Sequence, residues 1–180
     1  VPPGYNWEIR RWDGKRFHND DLSWYSGWMS RAAIFETADG RIVGAVHCEY
    51  EGDVHFEVHP DYRYLQVQML DWAEEHLSVA AEDGRRKLDT FVFDYDAPRQ
   101  RLLAERGYEN VGWSGVLRRL RFGGWPLPEV VLSPGYTLRN TEASEADYQR
   151  IADVLNAGFN RTFHNAPEMR NFMTQAPCFR

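Results

Sequence analysis

Cysteine is scarce in this chain. Of 180 residues only Cys48 and Cys178 are cysteine. They stand far apart, form no metal or redox spacing, and point to a reducing, cytoplasmic setting. Long apolar runs are missing too. No stretch is long enough to span a bilayer, and the first residues lack the basic-then-apolar layout of a secretory leader, so no membrane partner is expected. Positive charge is in deficit: 21 Lys and Arg against 27 Asp and Glu leave a net charge of −6. That excludes a general nucleic-acid surface but leaves room for a local basic pocket that takes a small anion. Glycine is missing where it would matter most. The run from Val54 to Gln68 reads as a strand, a Pro60-Asp61 turn and a helix opening near Arg63. Such a helix start points bare N–H groups beyond the strand and makes a natural anion site. A phosphate cradle would want glycines after the arginine, because backbone must approach the ligand closely. Those places hold Tyr64, Gln66 and Gln68.

What is present suits one compact domain with a remainder, or two small domains, with 43% of residues hydrophobic and 14% aromatic. Residues 7–12 alternate apolar and charged side chains, as a half-buried strand does. Asp20 and Asp21 are placed to cap a short helix carrying Leu22, Tyr25, Trp28 and Met29 on one side. Residues 33–37 and 42–50 flank Asp39-Gly40, a strong hairpin signal, because both residues tolerate the left-handed conformation of a tight turn. A turn at Gly52-Asp53 leads into a third strand at 54–59, so three sequential antiparallel strands are expected. Apolar residues from Leu65 to Ala80 recur at helical spacing, and Asp83-Gly84 is read as the end of a helix over 63–80. A strand at 88–93, a helix at 97–106 stopped by Gly107, and strands at 111–113 and 116–122 complete a mixed sheet with helices on its faces. Glycine and proline then frame a linker over 123–135. A strand at 136–139 follows, then a helix capped by Ser144 with Tyr148, Ile151, Leu155 and Phe159 on one face, and a further helix over 165–174. So short a last unit is below the size that folds alone. The chain is therefore expected to be a fragment, or its tail to dock on the first unit or on a partner chain.

Three side-chain groups suggest chemistry. His55, Glu57 and His59 alternate on one sheet face, with His47 and Glu49 on the neighbouring strand. With a three-residue turn register all would face one way and could hold a divalent metal such as zinc. With a two-residue turn His47 and Glu49 would face away, because a one-residue slip inverts the face. Arg63 is either a phosphate contact or a surface arginine whose charge sits poorly with the helix dipole. Trp24, Trp28 and Trp72 form either a docking surface or plain core. Arg85, Arg86 and Lys87 read as a solvated loop, and His164 and Asn165 as loop polar groups.

Four segments together resemble the GNAT family of N-acetyltransferases in a tandem form. Glu57-Val58-His59-Pro60-Asp61-Tyr62-Arg63 resembles the family's fourth strand and its entry into the cofactor-binding helix. Leu70-Asp71-Trp72-Ala73-Glu74-Glu75-His76-Leu77 resembles that helix. The run from Asp96 to Tyr108 resembles the later helix that ends in Gly-Phe or Gly-Tyr. Gly135-Tyr136-Thr137-Leu138-Arg139, followed by Ser144-Glu145-Ala146-Asp147, resembles the start of a second domain. The resemblance implies an α+β fold with a mixed, mostly antiparallel central sheet flanked by helices. It implies a first domain at 1–122, a linker at 123–135 and the beginning of a second domain at 136–180. It further implies acetyl-CoA as cofactor and a small-molecule or peptide amine as acceptor, and a homodimer is compatible with it. Val58, His59, Arg63, Tyr64, Gln66 and Gln68 fall at the family's coenzyme-binding positions, and Glu57 at the place of a general base. Gln66 and Gln68 stand where the family's phosphate motif has small residues, and Leu103 stands where it often has a tyrosine general acid. The first domain is therefore expected to be non-catalytic, with acyl transfer to an amine carried out by the intact protein. The alternative is a binding, regulatory or dimerisation module with no turnover.

Overall fold

The structure, a computed structural model, describes residues 9–18, 27–112, 123–124, 126 and 129–177. The chain is mixed α+β. Its main sheet contains β1 (Ala33–Glu36), β2 (Ile42–His47), β3 (Asp53–Val58) and β6 (Asp89–Thr90) in the order β1-β2-β3-β6. The first three strands pair antiparallel and the last pair is parallel. Helices α1 (Ile9–Phe17), α2 (Gln66–His76) and α3 (Ala97–Glu105) accompany the sheet. Helices α4 (Glu145–Phe159) and α5 (Ala166–Gln175) form a C-terminal antiparallel pair, and α5 also packs on α1. Among the described residues no helix is long and apolar enough to cross a membrane.

The pleat of β2 and β3 decides what each helix covers. Val46 faces Phe56 and Gly44 faces Val58 on one side; His47 faces His55 and Ala45 faces Glu57 on the other. Helix α2 lies on the first side, where Met69 comes so close that a Cβ at Gly44 would meet its methyl at 3.2 Å. Helix α1 lies on the second, with Trp12 edge-on to Trp28 and His47 at centroid distances of 4.7 and 5.1 Å. Covered on both faces, the two strands bury Val46, Val54, Phe56 and both histidines almost completely. A separate small core under α4 and α5 contains Tyr148, Ala152, Ala166 and Met169.

Several expected elements take another form. Residues 9–12 belong to α1 rather than to a strand. Six alternating residues fit a short stretch of either period, and Lys15 and Arg16 in the last turn suit a helix dipole. The helix expected over 63–80 is shorter. A 3-10 helix (Pro60–Leu65) leads into α2, which stops at His76. Arg86 ends it from outside by donating to the carbonyls of Glu74 and Glu75 and to Ser78 Oγ. Asp83 and Gly84 lie in the turn of a small hairpin, β4 (Val79–Ala80) with β5 (Arg86–Lys87). The strand expected over 88–93 shrinks to β6. Residues 136–139 form no strand; Arg139 is instead fixed by a two-pronged ion pair to Asp147 at 2.6 and 2.5 Å. Residues 111 and 112 are not in a strand, and 113–122 lie outside the described residues, as do Asp20, Asp21, Leu22, Trp24 and Tyr25. Trp28 is core, and Trp72 packs half-buried against it.

Gly52 turns β2 into β3 with φ of 77°. A Cβ there would also meet Val79 Cγ2 at 2.8 Å, whereas at Gly40, with φ of 81°, it would meet nothing within 4 Å. Gly40→Ala is expected to cost only the left-handed penalty of about 1–2 kcal/mol. Gly52→Ala should cost about 1–3 kcal/mol more through overpacking. Urea denaturation of the two variants side by side checks the difference.

Candidate functional site

The parallel contact between β3 and β6 is only two residue pairs long, Asp53 with Asp89 and Val54 with Thr90. Asp89 N–H donates to Gly52 O at 2.7 Å and Thr90 Oγ1 to Val54 O at 3.0 Å. Beyond them residues 91–93 leave strand geometry. Among the described residues, β3 from His55 to Val58 therefore has no strand partner on that side. Glu57 lies in this stretch. Burial pushes its carboxyl from 4.5 up to about 7, against the opposing pull of the Arg99 guanidinium. Its Oε1 is buried without a hydrogen bond among the described residues.

Arg63 and Gln66 are committed to the protein itself. Arg63 Nη2 donates to Asp96, which also caps α3 by accepting from the Arg99 N–H at 3.3 Å. Arg99 Nε donates to Gln66 Oε1 at 2.9 Å and sits 3.8 Å from Asp96 Oδ2. Asp96, Arg99 and Gln66 are all buried, at 2%, 3% and 6% exposure. Burial pulls the Arg99 guanidinium down from its usual range, while Asp96 holds it up. No residue from 60 to 68 has positive φ. The chain turns helical at Pro60, with a kink at Tyr62 (φ −114°, ψ 20°), and the His59 ring caps it by accepting from Asp61 N–H at 3.3 Å. Tyr64 and Gln68 point to solvent, and Val58 is in the core. The cavity lined by Phe56, Gln66, Leu70, Arg99, Leu102 and Leu103 measures about 10 Å³, room for about one water.

The strand histidines do not assemble a metal site. His47 and His55 share a face and stack at 5.5 Å, and burial followed by the charge of His55 lowers His47 to about 3. His59 is engaged with Asp61 N–H and lies 3.0 Å from Arg41 Nη2. Among the described residues one trio of ligand-type side chains does converge, elsewhere: His18, His164 and Glu168. His18 follows α1, His164 precedes α5, and Glu168 is the third residue of α5. Glu168 Oε1 lies 2.8 Å from His18 Nδ1 and 3.0 Å from His164 Nδ1, and its Oε2 is also 3.0 Å from His164 Nδ1. Burial pushes the Glu168 carboxyl up, but the bonds from the two rings outweigh it and hold the group low. Asn165 and Glu168 form a reciprocal capping box, and the Asn156 amide clamps both the N–H and the carbonyl of His164. Sequence reading left His164 as a loop residue and passed over His18 and Glu168. The four-residue spacing of His164 and Glu168 around Asn165 was a usable local signal; the pairing of His18 with Glu168 across 150 positions had none.

Comparison with known proteins finds no matching family model, no matching curated protein and no matching solved structure.

Asp96 accepts two hydrogen bonds through Oδ1, from Arg63 and from the Arg99 N–H, and lies 3.8 Å from the Arg99 guanidinium, where the 3-10 helix and α3 meet. Asp96→Ala strands two arginines and removes the cap, so a loss of about 3–5 kcal/mol is expected in chemical denaturation. Titration supplies a second test. Glu57 keeps its proton in the folded state up to about 7 while the unfolded chain releases it near 4.5, so its contribution to stability falls as pH rises through that interval. His47 runs the other way. Folded it stays neutral down to about 3, so stability falls as pH drops below 6.5. At about 1.4 kcal/mol per unit, Glu57→Gln should recover up to about 3 kcal/mol at pH 8 relative to pH 4.5. Superimposable stability–pH curves for variant and parent would contradict the assignment.

Proposed function

We propose that the chain is part of an amine acyltransferase of the GNAT kind, in which the intact protein moves an acyl group from acyl-CoA to an amine. In this reading residues 1–122 support the reaction without performing it. The observation that supports the kinship is the short parallel contact of β3 with β6, beyond which residues 91–93 leave strand geometry. In the resembled fold the pantetheine arm pairs with a splayed strand at the corresponding place.

What assigns the supporting role is the fate of the coenzyme-contact positions. A diphosphate needs free donors and close backbone approach. Here Arg63 is taken by Asp96, Gln66 by Arg99, and the helix start by His59. The adjoining space is of the order of one water. Leu103, at the place of the family's acid, is buried and has no proton to give. These residues do not fit a coenzyme diphosphate, so no catalytic step is routed through this domain. The same observations favour a second reading, a GNAT-like binding or dimerisation module without turnover. A glycine-bearing coenzyme loop with a helix tyrosine elsewhere in the intact protein would favour the enzyme over the module.

Calorimetric titration of the chain with acetyl-CoA is expected to show no saturable binding tighter than about 1 mM. Micromolar saturation would overturn the supporting role. In the intact protein, thiol release from acetyl-CoA with a panel of amines is expected to survive Glu57→Gln. A loss of about 100-fold or more would place general-base chemistry in the first domain.

A further inference from the structure

The C-terminal helical pair meets α1 through a polar cluster that neither the sheet nor the acyltransferase reading uses. Two histidines and one glutamate are brought together from segments far apart in sequence, with one ligand atom from each within 4.8 Å of the others. We propose that His18, His164 and Glu168 form a binding site for a divalent transition-metal ion of the zinc type.

The donor set is the first argument. Two imidazoles and one carboxylate, with a position left open, are a common ligand set for zinc. The same set also suits other borderline ions, so the ligands define a class of metal rather than a single one. Distances are the second argument. Ligand atoms about 2.0–2.1 Å from a tetrahedral zinc lie roughly 3.3–3.4 Å from each other. The observed 2.8 and 3.0 Å separations between the rings and Glu168 Oε1 need an opening of only about half an ångström. Imidazole and carboxylate approach this closely only with a proton between them, and a metal ion would take the place of those protons.

Preorganisation is the third argument. Glu168 is 4% exposed, and its position is set by the capping box at the start of α5. His164 is held through its backbone by Asn156, and its ring packs against Phe163 at 4.3 Å. Its side chain is more than nine-tenths buried. Its Nε2 has no hydrogen-bond partner among the described residues, so all the polar work of that ring is done by Nδ1 at the cluster. The His18 ring lies on Phe172 at 3.8 Å, and Asn171 donates to Phe17 O at 3.0 Å, fixing the end of α1. The groups are thus held by partners of their own, as ligands to a metal usually are. His18 is the more exposed ring, at 29%, and provides the entrance and the open side.

The bland account is a carboxylate accepting two imidazole N–H bonds, with no metal. It explains the short contacts equally well, so metal content decides. The proposal is independent of the acyltransferase reading, because none of its residues belongs to the coenzyme groove. The full chain, stripped with chelator and dialysed, is titrated with Zn²⁺ alone by calorimetry, and Co²⁺ is added in parallel for its visible absorption. One equivalent of Zn²⁺, a cobalt spectrum of four- or five-coordinate type and a higher melting temperature are expected. Glu168→Gln weakens a helix cap and can unfold the C-terminal pair. His18→Gln leaves the capping box untouched and serves as the second variant. His18→Gln and His164→Gln should each weaken Zn²⁺ binding by about 100-fold or more, beyond what loss of an orienting group costs. Metal below a tenth of an equivalent in unchelated protein, with no heat on adding Zn²⁺, would overturn the site. So would Zn²⁺ binding that is unchanged in both histidine variants.

Discussion

The contact on which the functional reading turns is the ion pair between Arg63 and Asp96. It joins the turn after β3 to the cap of α3, and through Arg99 it reaches Gln66 at the start of α2. Buried charges are tolerated only when paired and hydrogen-bonded, and once paired they are costly to redeploy. A guanidinium in this state is a poor phosphate ligand, because binding an anion would mean taking it from Asp96, which would then keep only its contacts with Arg99. The interaction that closes this end of the sheet thereby removes the cation that a coenzyme would need there.

Much of the fold was legible where local chemistry decides it. Asp39-Gly40 marked the first hairpin, Gly107 the end of α3, and Ser144 and Asn165 the starts of the last two helices. These signals act within a few residues and survive any tertiary context. The misreadings share the opposite trait. Residues 7–12 were too few to separate a period of two from one of 3.6, and packing of Trp12 on Trp28 and His47 settled the matter. The end of α2 is met by Arg86, which reaches back across the hairpin to the carbonyls of Glu74 and Glu75, the first of them also bonded by Ser78 Oγ. Glu57 could be named as the carboxylate on β3, but its titration could not, because that depends on burial and on Arg99. That Arg63 and Gln66 answer to Asp96 and Arg99 across 33 residues was beyond any local pattern.

The sheet face shared by His47 and Glu57 carries two opposite electrostatic liabilities. Glu57 favours the folded state most below 4.5 and His47 most above 6.5, so between those values each gives up part of its contribution. Neither group is required for a stable sheet, since apolar residues of similar volume would bury at lower cost. Ionisable side chains kept in such places are statistically associated with function, although ion-pair networks also produce them. Glu57 lies on β3 beyond the two-residue contact with β6, where among the described residues β3 pairs with β2 alone.

A helix start must satisfy its N–H groups and any charge gathered around it. The 3-10 entry at Pro60 does so with a residue that has no N–H and a histidine ring on the next donor, before a kink at Tyr62 leads on toward α2. Gln66, the wrong residue for a phosphate nest, is the right one for Arg99, because its amide oxygen accepts from the buried guanidinium without adding another charge. The three residues are coupled: glutamine is favoured beside a buried Arg99, and Arg99 can be buried because Asp96 and Gln66 answer it. Gln66→Gly alone would leave Arg99 facing a hole rather than create an anion site, and freeing a cation for an anion would require releasing Arg63 from Asp96 as well.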